Sequence, residues 1–169
     1  LNEGIKGERL HAFKRNISYN YEHIQKHGGI GSIIEKLTNK HVIVVGAGPS
    51  LAKSYHYLKK YMQRMDVVYI AVDMALKPLM DQGIVPHLVF TCETKPMEFH
   101  QNIDSHDIGL VAFSCTNHNV IDNWDGRVFF YNWLLDDPDY DEIWQKAGED
   151  LGFLGTGGIV TTQAIAFAL

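Results

Sequence analysis

Five short apolar runs, spaced along the last three quarters of the chain, constrain its fold more than any other feature. They are His41–Gly46, Val67–Val72, Leu88–Cys92, Leu110–Cys115 and Val128–Trp133. Each is rich in β-branched and aromatic residues and shows little polar alternation, as expected of strands covered on both faces. Polar, helix-prone segments separate them. Between the first two runs, Leu51, Tyr55, Leu58 and Met62 recur at helical spacing. Strand–helix–strand alternation predicts a parallel sheet with right-handed crossovers. The expected fold is therefore α/β: a Rossmann-like, open, doubly wound and mainly parallel sheet. An antiparallel α+β domain is the alternative.

The first forty residues read differently. Leu10, Phe13, Ile17, Tyr21 and Ile24 form a helical stripe that the glycines at 28, 29 and 31 interrupt. Ser32, with Glu35 three positions on, predicts a capping box for a short second helix. The expected organisation is an N-terminal helical lead over 1–40 and a nucleotide-binding Rossmann-like domain over 41–169. The chain starts at Leu1 and stops in the apolar run Ala164–Leu169 with no helix-ending glycine or basic turn. The domain is therefore expected to be truncated at its C-terminus, as a piece of a longer protein.

Charge limits the partners. Fifteen basic and twenty acidic residues give a net charge of −5, which argues against a nucleic-acid groove because phosphate tracking needs clustered Lys and Arg. No apolar stretch reaches the ~18 residues of a membrane span, and the first residues do not resemble a signal peptide. Cys92 and Cys115 lack C-x-x-C spacing and sit in apolar runs, as buried thiols of a reducing, cytoplasmic compartment do. The nine histidines fall into no metal-ligand frame.

Open parallel sheets bind ligands at the carboxyl ends of their strands, so the residues following each run carry the chemistry. Gly46-Ala47-Gly48-Pro49-Ser50 follows the first run. Two glycines permit a tight turn and close approach of a phosphate, and the helix start beyond them favours anions. Leu51 replaces the third glycine of a dinucleotide fingerprint and no G-K-[ST] follows, which argues against ordinary NAD binding and against a Walker ATPase. Asp73 follows the second run, where an acid serves a ribose or a metal, or else caps the next helix. Glu93 follows the third run, His118 closely follows the fourth and Asp136 follows the fifth. Asp73, Glu93 and Asp136 are candidate ligands for Mg²⁺ beside a nucleotide phosphate. His118, Glu93 and Asp73 are candidate catalytic acids or bases. Ser114, Thr116 and Asn132, at the ends of the fourth and fifth runs, are candidate substrate contacts. A second glycine turn, Gly155-Thr156-Gly157-Gly158, leads into the last apolar helix. Thr156 is the expected N-cap, with the N–H groups of Gly157 and Gly158 open to an anion. Close packing of helix on sheet would also explain these glycines.

These residues also resemble a known family. Val44-Val45-Gly46-Ala47-Gly48-Pro49-Ser50-Leu51 is similar to the V-G-x-G-P-S-L signature of the motility accessory factor family, which shares its domain with 6-hydroxymethylpterin pyrophosphokinase-like proteins. The similarity continues through Ala71-Val72-Asp73, Leu76–Leu79, Gly83–Val89, Arg127–Asn132 and Gly157–Thr162, and covers nearly all of the chain from Asn16. One departure lies after the third run, where Glu93-Thr94-Lys95-Pro96 replaces the family's usual Asp-Pro. The resemblance implies a glycosyltransferase that attaches a nonulosonic, sialic-like sugar from a CMP-activated donor to flagellin Ser and Thr. It alternatively implies a Mg-dependent diphosphotransferase that moves a diphosphate from ATP to a hydroxymethylpterin. Apart from the resemblance, a non-catalytic nucleotide-binding or scaffold module that keeps the fold is the third alternative.

Overall fold

The structure, a computed structural model, describes residues 3–155 and 157–169, and the side chains of all of these except Glu3 and Ile5. In chain order the helices are α1 (Glu3–His27), α2 (Gly31–Leu37), α3 (Leu51–Tyr61), α4 (Asp73–Asp81), α5 (His118–Asp122), α6 (Asp141–Ala147) and α7 (Val160–Ala168). The strands are β1 (His41–Val45), β2 (Val67–Val72), β3 (Leu88–Thr91), β4 (Gly109–Phe113), β5 (Val128–Leu134) and β6 (Phe153–Gly155). All five predicted runs are strands. The sixth, only three residues long, lies in a stretch that the sequence presents as a glycine turn.

The six strands form one sheet in the order β1-β2-β3-β4-β5-β6, with every neighbouring pair parallel. Strand order follows chain order, so no reversal opens a crevice at mid-sheet. Helices nevertheless cover both faces. The Tyr69 hydroxyl donates to the Leu58 carbonyl of α3 at 2.7 Å. Val72, three residues further along β2, points to the other face. It pairs with Phe90 of β3, and the Phe90 ring lies 5.2 Å from that of Phe167 in α7. α3 and α7 therefore sandwich the sheet. The six residues of β2 are all buried, which explains their unbroken apolar run.

β5 has a divided outer edge. Its upper half pairs with β6, from Asn132 with Phe153 to Leu134 with Gly155. Its lower half is closed by the link between α1 and α2: Phe130 N–H donates to the Gly28 carbonyl at 2.9 Å and Ile30 N–H to the Phe130 carbonyl at 3.0 Å. Gly29 fits there because a Cβ would come within 2.4 Å of the Leu151 backbone. Ser32 does not cap α2. Its hydroxyl donates to the Gly29 carbonyl, and Ile30 in helical conformation stands at the N-cap position, so the glycine link replaces the expected capping box.

The stripe on α1 is real and faces the sheet. Phe13, Ile17 and Ile24 are almost fully buried, while Tyr21 points outward. Burying each such side chain contributes about 1.5–3 kcal/mol. Asn16 and Asn20 lie on the same face with no exposed surface. The Asn16 amide donates to the carbonyls of Thr94 and Cys115, and the Asn20 amide to those of Ser114 and Thr116. These bonds splice the helical lead onto the loops that follow β3 and β4.

Candidate functional site

The glycine turn after β1 and the first turn of α7 face one another. A Cβ on Gly46 would lie 3.7 Å from the Thr161 hydroxyl. Gly46 is half-buried, and residues 47–50 are exposed. Leu51 N–H closes the turn onto the Gly48 carbonyl at 2.9 Å. Ser50 occupies the N-cap position of α3 in helical conformation, and its hydroxyl makes no capping bond. The Gly46–Ser50 turn therefore presents backbone and a hydroxyl to solvent beside α7.

Asp73 directly follows β2, the strand beside β1. It is the first residue of α4 rather than its N-cap, a position Val72 takes. One carboxylate oxygen accepts from Met74 N–H at 2.7 Å and the other from the Thr91 hydroxyl at 3.2 Å. Burial pushes its pKa above the usual carboxylate range, more than these two bonds lower it, and the nearby Glu93 charge pushes it the same way. Asp73 is only 7% exposed. It is thus a reluctant anion, poised to accept from a ligand hydroxyl or to hold a proton.

Glu93 is within electrostatic reach of Asp73. Its Oε1 accepts from the N–H groups of Thr94 and Lys95, so its own turn fixes the head group. Asp136 is elsewhere: it lines a cavity of about 150 Å³ with Lys6, Arg9 and Tyr140. The expected three-carboxylate set is therefore not assembled. Among the described residues no group of three His, Cys, Asp or Glu side chains is placed to hold a metal ion. The donor set on offer is the pair Asp73 and Glu93, which suits Mg²⁺ only where substrate phosphates and water complete its shell.

His118 opens α5. Its Nδ1 lies 2.9 Å from Asp122 Oδ2, one helical turn on. A carboxylate can only accept, so Nδ1 carries the proton and Nε2 becomes the acceptor nitrogen. The Tyr19 ring of α1 lies 4.7 Å from the imidazole, tilted by 31°. The second oxygen of Asp122 takes His23 Nε2 at 2.9 Å. The preceding residue, Asn117, donates its N–H to the Glu93 carbonyl, which sets the His118 dyad beside the loop after β3.

The substrate contacts expected at Ser114, Thr116 and Asn132 need correction. All three are 0% exposed. Ser114 Oγ donates to Asn132 Oδ1 at 2.7 Å, Asn132 Nδ2 donates to the Gly148 carbonyl, and the Thr116 hydroxyl reaches the Thr91 carbonyl. Ser114 and Asn132 bond to each other across β4 and β5, and Thr116 bonds back to β3, all inside the protein.

The second glycine turn is also more closed than expected. Thr156 lies outside the described residues. Gly157 N–H is not open: it donates to Thr162 Oγ1 at 3.0 Å, and that hydroxyl donates to the Ile159 carbonyl at 2.7 Å. Thr162 thus closes the loop onto the helix, and Ile159 stands at the N-cap position of α7 with no side-chain capping bond. Gly158 takes φ +87°, a backbone region that disfavours side chains.

A further group of residues was not singled out by motif. Gln163 of α7 and Tyr131 of β5 have no exposed surface, and the Tyr131 hydroxyl donates to Gln163 Oε1. The Gln163 amide also bonds to the Cys92 thiol, whose pKa burial pushes up to about 12. Cys92 and Cys115 are both unpaired, and neither is activated as a nucleophile. The one available signal was a lone amide in the otherwise apolar segment that follows Thr162.

A family model described as 6-hydroxymethylpterin diphosphokinase MptE-like matches residues 15–169. Among solved structures, the MAf glycosyltransferase from Magnetospirillum magneticum AMB-1 is similar in fold, with a TM-score of 0.62 at 19% identity. That similarity covers 77% of this chain and 20% of that protein, so the chain spans about a fifth of its length. No curated protein matches the chain in sequence. Among the described residues no helix is long and apolar enough to cross a membrane.

Proposed function

Because this chain belongs to the 6-hydroxymethylpterin diphosphokinase MptE-like family, we propose that it is the nucleotide-binding part of a transferase that uses a nucleotide-activated donor. The leading form of this reading is a motility-accessory-type glycosyltransferase, with a CMP-activated nonulosonic sugar as donor and flagellin Ser or Thr as acceptor. The observation that carries it is the glycine turn after β1 set against the first turn of α7, with the buried Asp73 at the end of the neighbouring strand β2.

In this reading the Gly46, Gly48, Pro49 and Ser50 turn backs the donor phosphate, where helix-start N–H groups and dipoles stabilise an anion without a formal positive charge. Gly157 and Gly158 shape the opposite wall. Asp73 accepts from a ribose hydroxyl. A sialyl-type transfer breaks the bond to a CMP leaving group through an oxocarbenium-like state, so stabilising the departing phosphate carries much of the acceleration. His118 Nε2, oriented by Asp122, takes the proton of the acceptor hydroxyl, with Glu93 as the alternative base.

The Asp73–Glu93 pair favours a second reading, a diphosphotransferase. There the two carboxylates would hold Mg²⁺, which supplies charge neutralisation for a triphosphate. Calorimetric titration separates the two. CMP binding without Mg²⁺ supports glycosyl transfer, and ATP binding only with Mg²⁺ supports diphosphate transfer. Binding of neither at millimolar concentration overturns both.

A further inference from the structure

We propose that Gln163, bonded to Tyr131, is a positioning residue that fixes the register of α7 and so holds the first turn of that helix against the Gly46 turn. The proposal rests on the nucleotide reading above for its functional consequence, but the register claim stands on geometry.

α7 reads Val-Thr-Thr-Gln-Ala-Ile-Ala-Phe-Ala. Beyond the two threonines, Gln163 is its one polar side chain, and it is completely buried. A buried primary amide left unbonded is costly, so its partners decide where the helix can sit. Oε1 accepts from Tyr131 of β5, and the amide reaches Cys92 just beyond β3. The Tyr131 hydroxyl also lies 3.5 Å from the Thr91 carbonyl, and the Thr91 hydroxyl donates to Asp73. One amide thus ties α7 to the strand ends that surround Asp73.

The two preceding residues act elsewhere. Thr161 faces Gly46, across the space a Cβ there would fill, and Thr162 closes the loop at Gly157. Successive helical residues point about 100° apart, so 161, 162 and 163 engage the turn, the loop and the core in three directions. The remaining contacts of α7, such as Phe167 on Phe90, are apolar and non-directional, and on their own they tolerate sliding or rotation. A hydrogen bond between two buried groups can form in one register only, which is the way a single buried polar residue sets alignment in helix assemblies.

The test compares the wild type with Tyr131→Phe, which keeps the ring and removes the hydroxyl, Gln163→Leu, the double variant, and Ile143→Ala as a core lesion on α6. Titration uses CMP alone and ATP with Mg²⁺. Each single variant is expected to weaken whichever nucleotide the wild type binds by about tenfold, the order of one buried hydrogen bond. The double variant is expected to lose no more than the larger single loss. Ile143→Ala is expected to lower the melting temperature at least as far while leaving Kd within about twofold, since it touches none of these bonds. If Tyr131→Phe binds as the wild type does, or no more weakly than Ile143→Ala, the proposal is overturned. If the wild type binds neither nucleotide, the nucleotide reading fails and the register claim is decided by amide hydrogen exchange. Faster exchange over residues 160–163 in Tyr131→Phe than in Ile143→Ala supports it, and equal exchange sinks it.

Discussion

Tyr69 and His87 bond to each other in both directions. His87 N–H donates to the Tyr69 carbonyl at 2.9 Å, and Tyr69 N–H donates to His87 Nδ1 at 3.0 Å. The ring nitrogen thus does the work of a backbone carbonyl at the start of β3, and it can do so only while unprotonated.

Acid should therefore loosen the fold before the carboxylates titrate. Burial holds the pKa of His87 below its ordinary value, and does the same for His100 and, with help from neighbouring positive charges, for His27. The unfolded chain binds protons at these groups near pH 6.5, so stability is fullest above that value and is lost as pH falls through it. Asp66, held down to about 2 by Arg64, affects stability only below about pH 4. Urea unfolding from pH 8 to pH 5 should show the loss, and His87→Asn should flatten it. An unchanged slope in the variant would remove His87 from this account.

Asp73 predicts the opposite sign. Its pKa is raised in the folded state, so its ionisation costs stability as pH rises through the folded value. Asp73→Asn keeps a side chain that can accept from Met74 N–H and drops the buried charge. At pH 7 it should melt at or above the wild-type temperature, while nucleotide affinity falls about tenfold or more through the lost charge-assisted bond. Unaltered affinity would leave Asp73 as a helix-start residue only.

Gly29 should tolerate no side chain. A Cβ there would lie 2.4 Å from both Cα and O of Leu151, backbone atoms that cannot step aside. Gly29→Ala is expected to cost about 1–3 kcal/mol or more. Gly31→Ala, where nothing lies within 4 Å, should be neutral or slightly stabilising. Equilibrium denaturation of the pair reads the contrast directly.

The His118 dyad yields a kinetic prediction. If Nε2 is the base, His118→Ala should lower kcat by about 10²–10⁴. Asp122→Asn should lower kcat less and leave KM nearly unchanged, since it disturbs orientation and tautomer rather than donor binding. Full activity in His118→Ala would transfer the role to Glu93.

How much of this was legible in the chain varies by level. The five runs announced their strands because buried parallel strands need continuous apolar residues, and the α1 stripe showed in Phe13, Ile17 and Ile24. Strand order did not show, because periodicity reports which face is buried and not which neighbour buries it. β6 was hidden by its length, and its partner on the lower half of β5 is a Gly28–Ile30 link with no strand pattern. At the candidate site, the sequence did place Asp73 and the Gly46–Ser50 turn directly after strands, which is where they lie. Ser114, Thr116 and Asn132 misled for the same reason: position after a strand does not say whether a polar side chain looks outward or inward. Gln163 went unmarked because its partner Tyr131 is distant in sequence.

The amides of Asn16 and Asn20 have a consequence for assembly. Their acceptors lie 78 to 99 residues further along the chain, and contacts of such separation bear a loop-closure cost before they return anything. A ribosome releases α1 long before it has made Cys115 or Thr116. The inner face of α1 must therefore wait uncovered until the loops after β3 and β4 have been made.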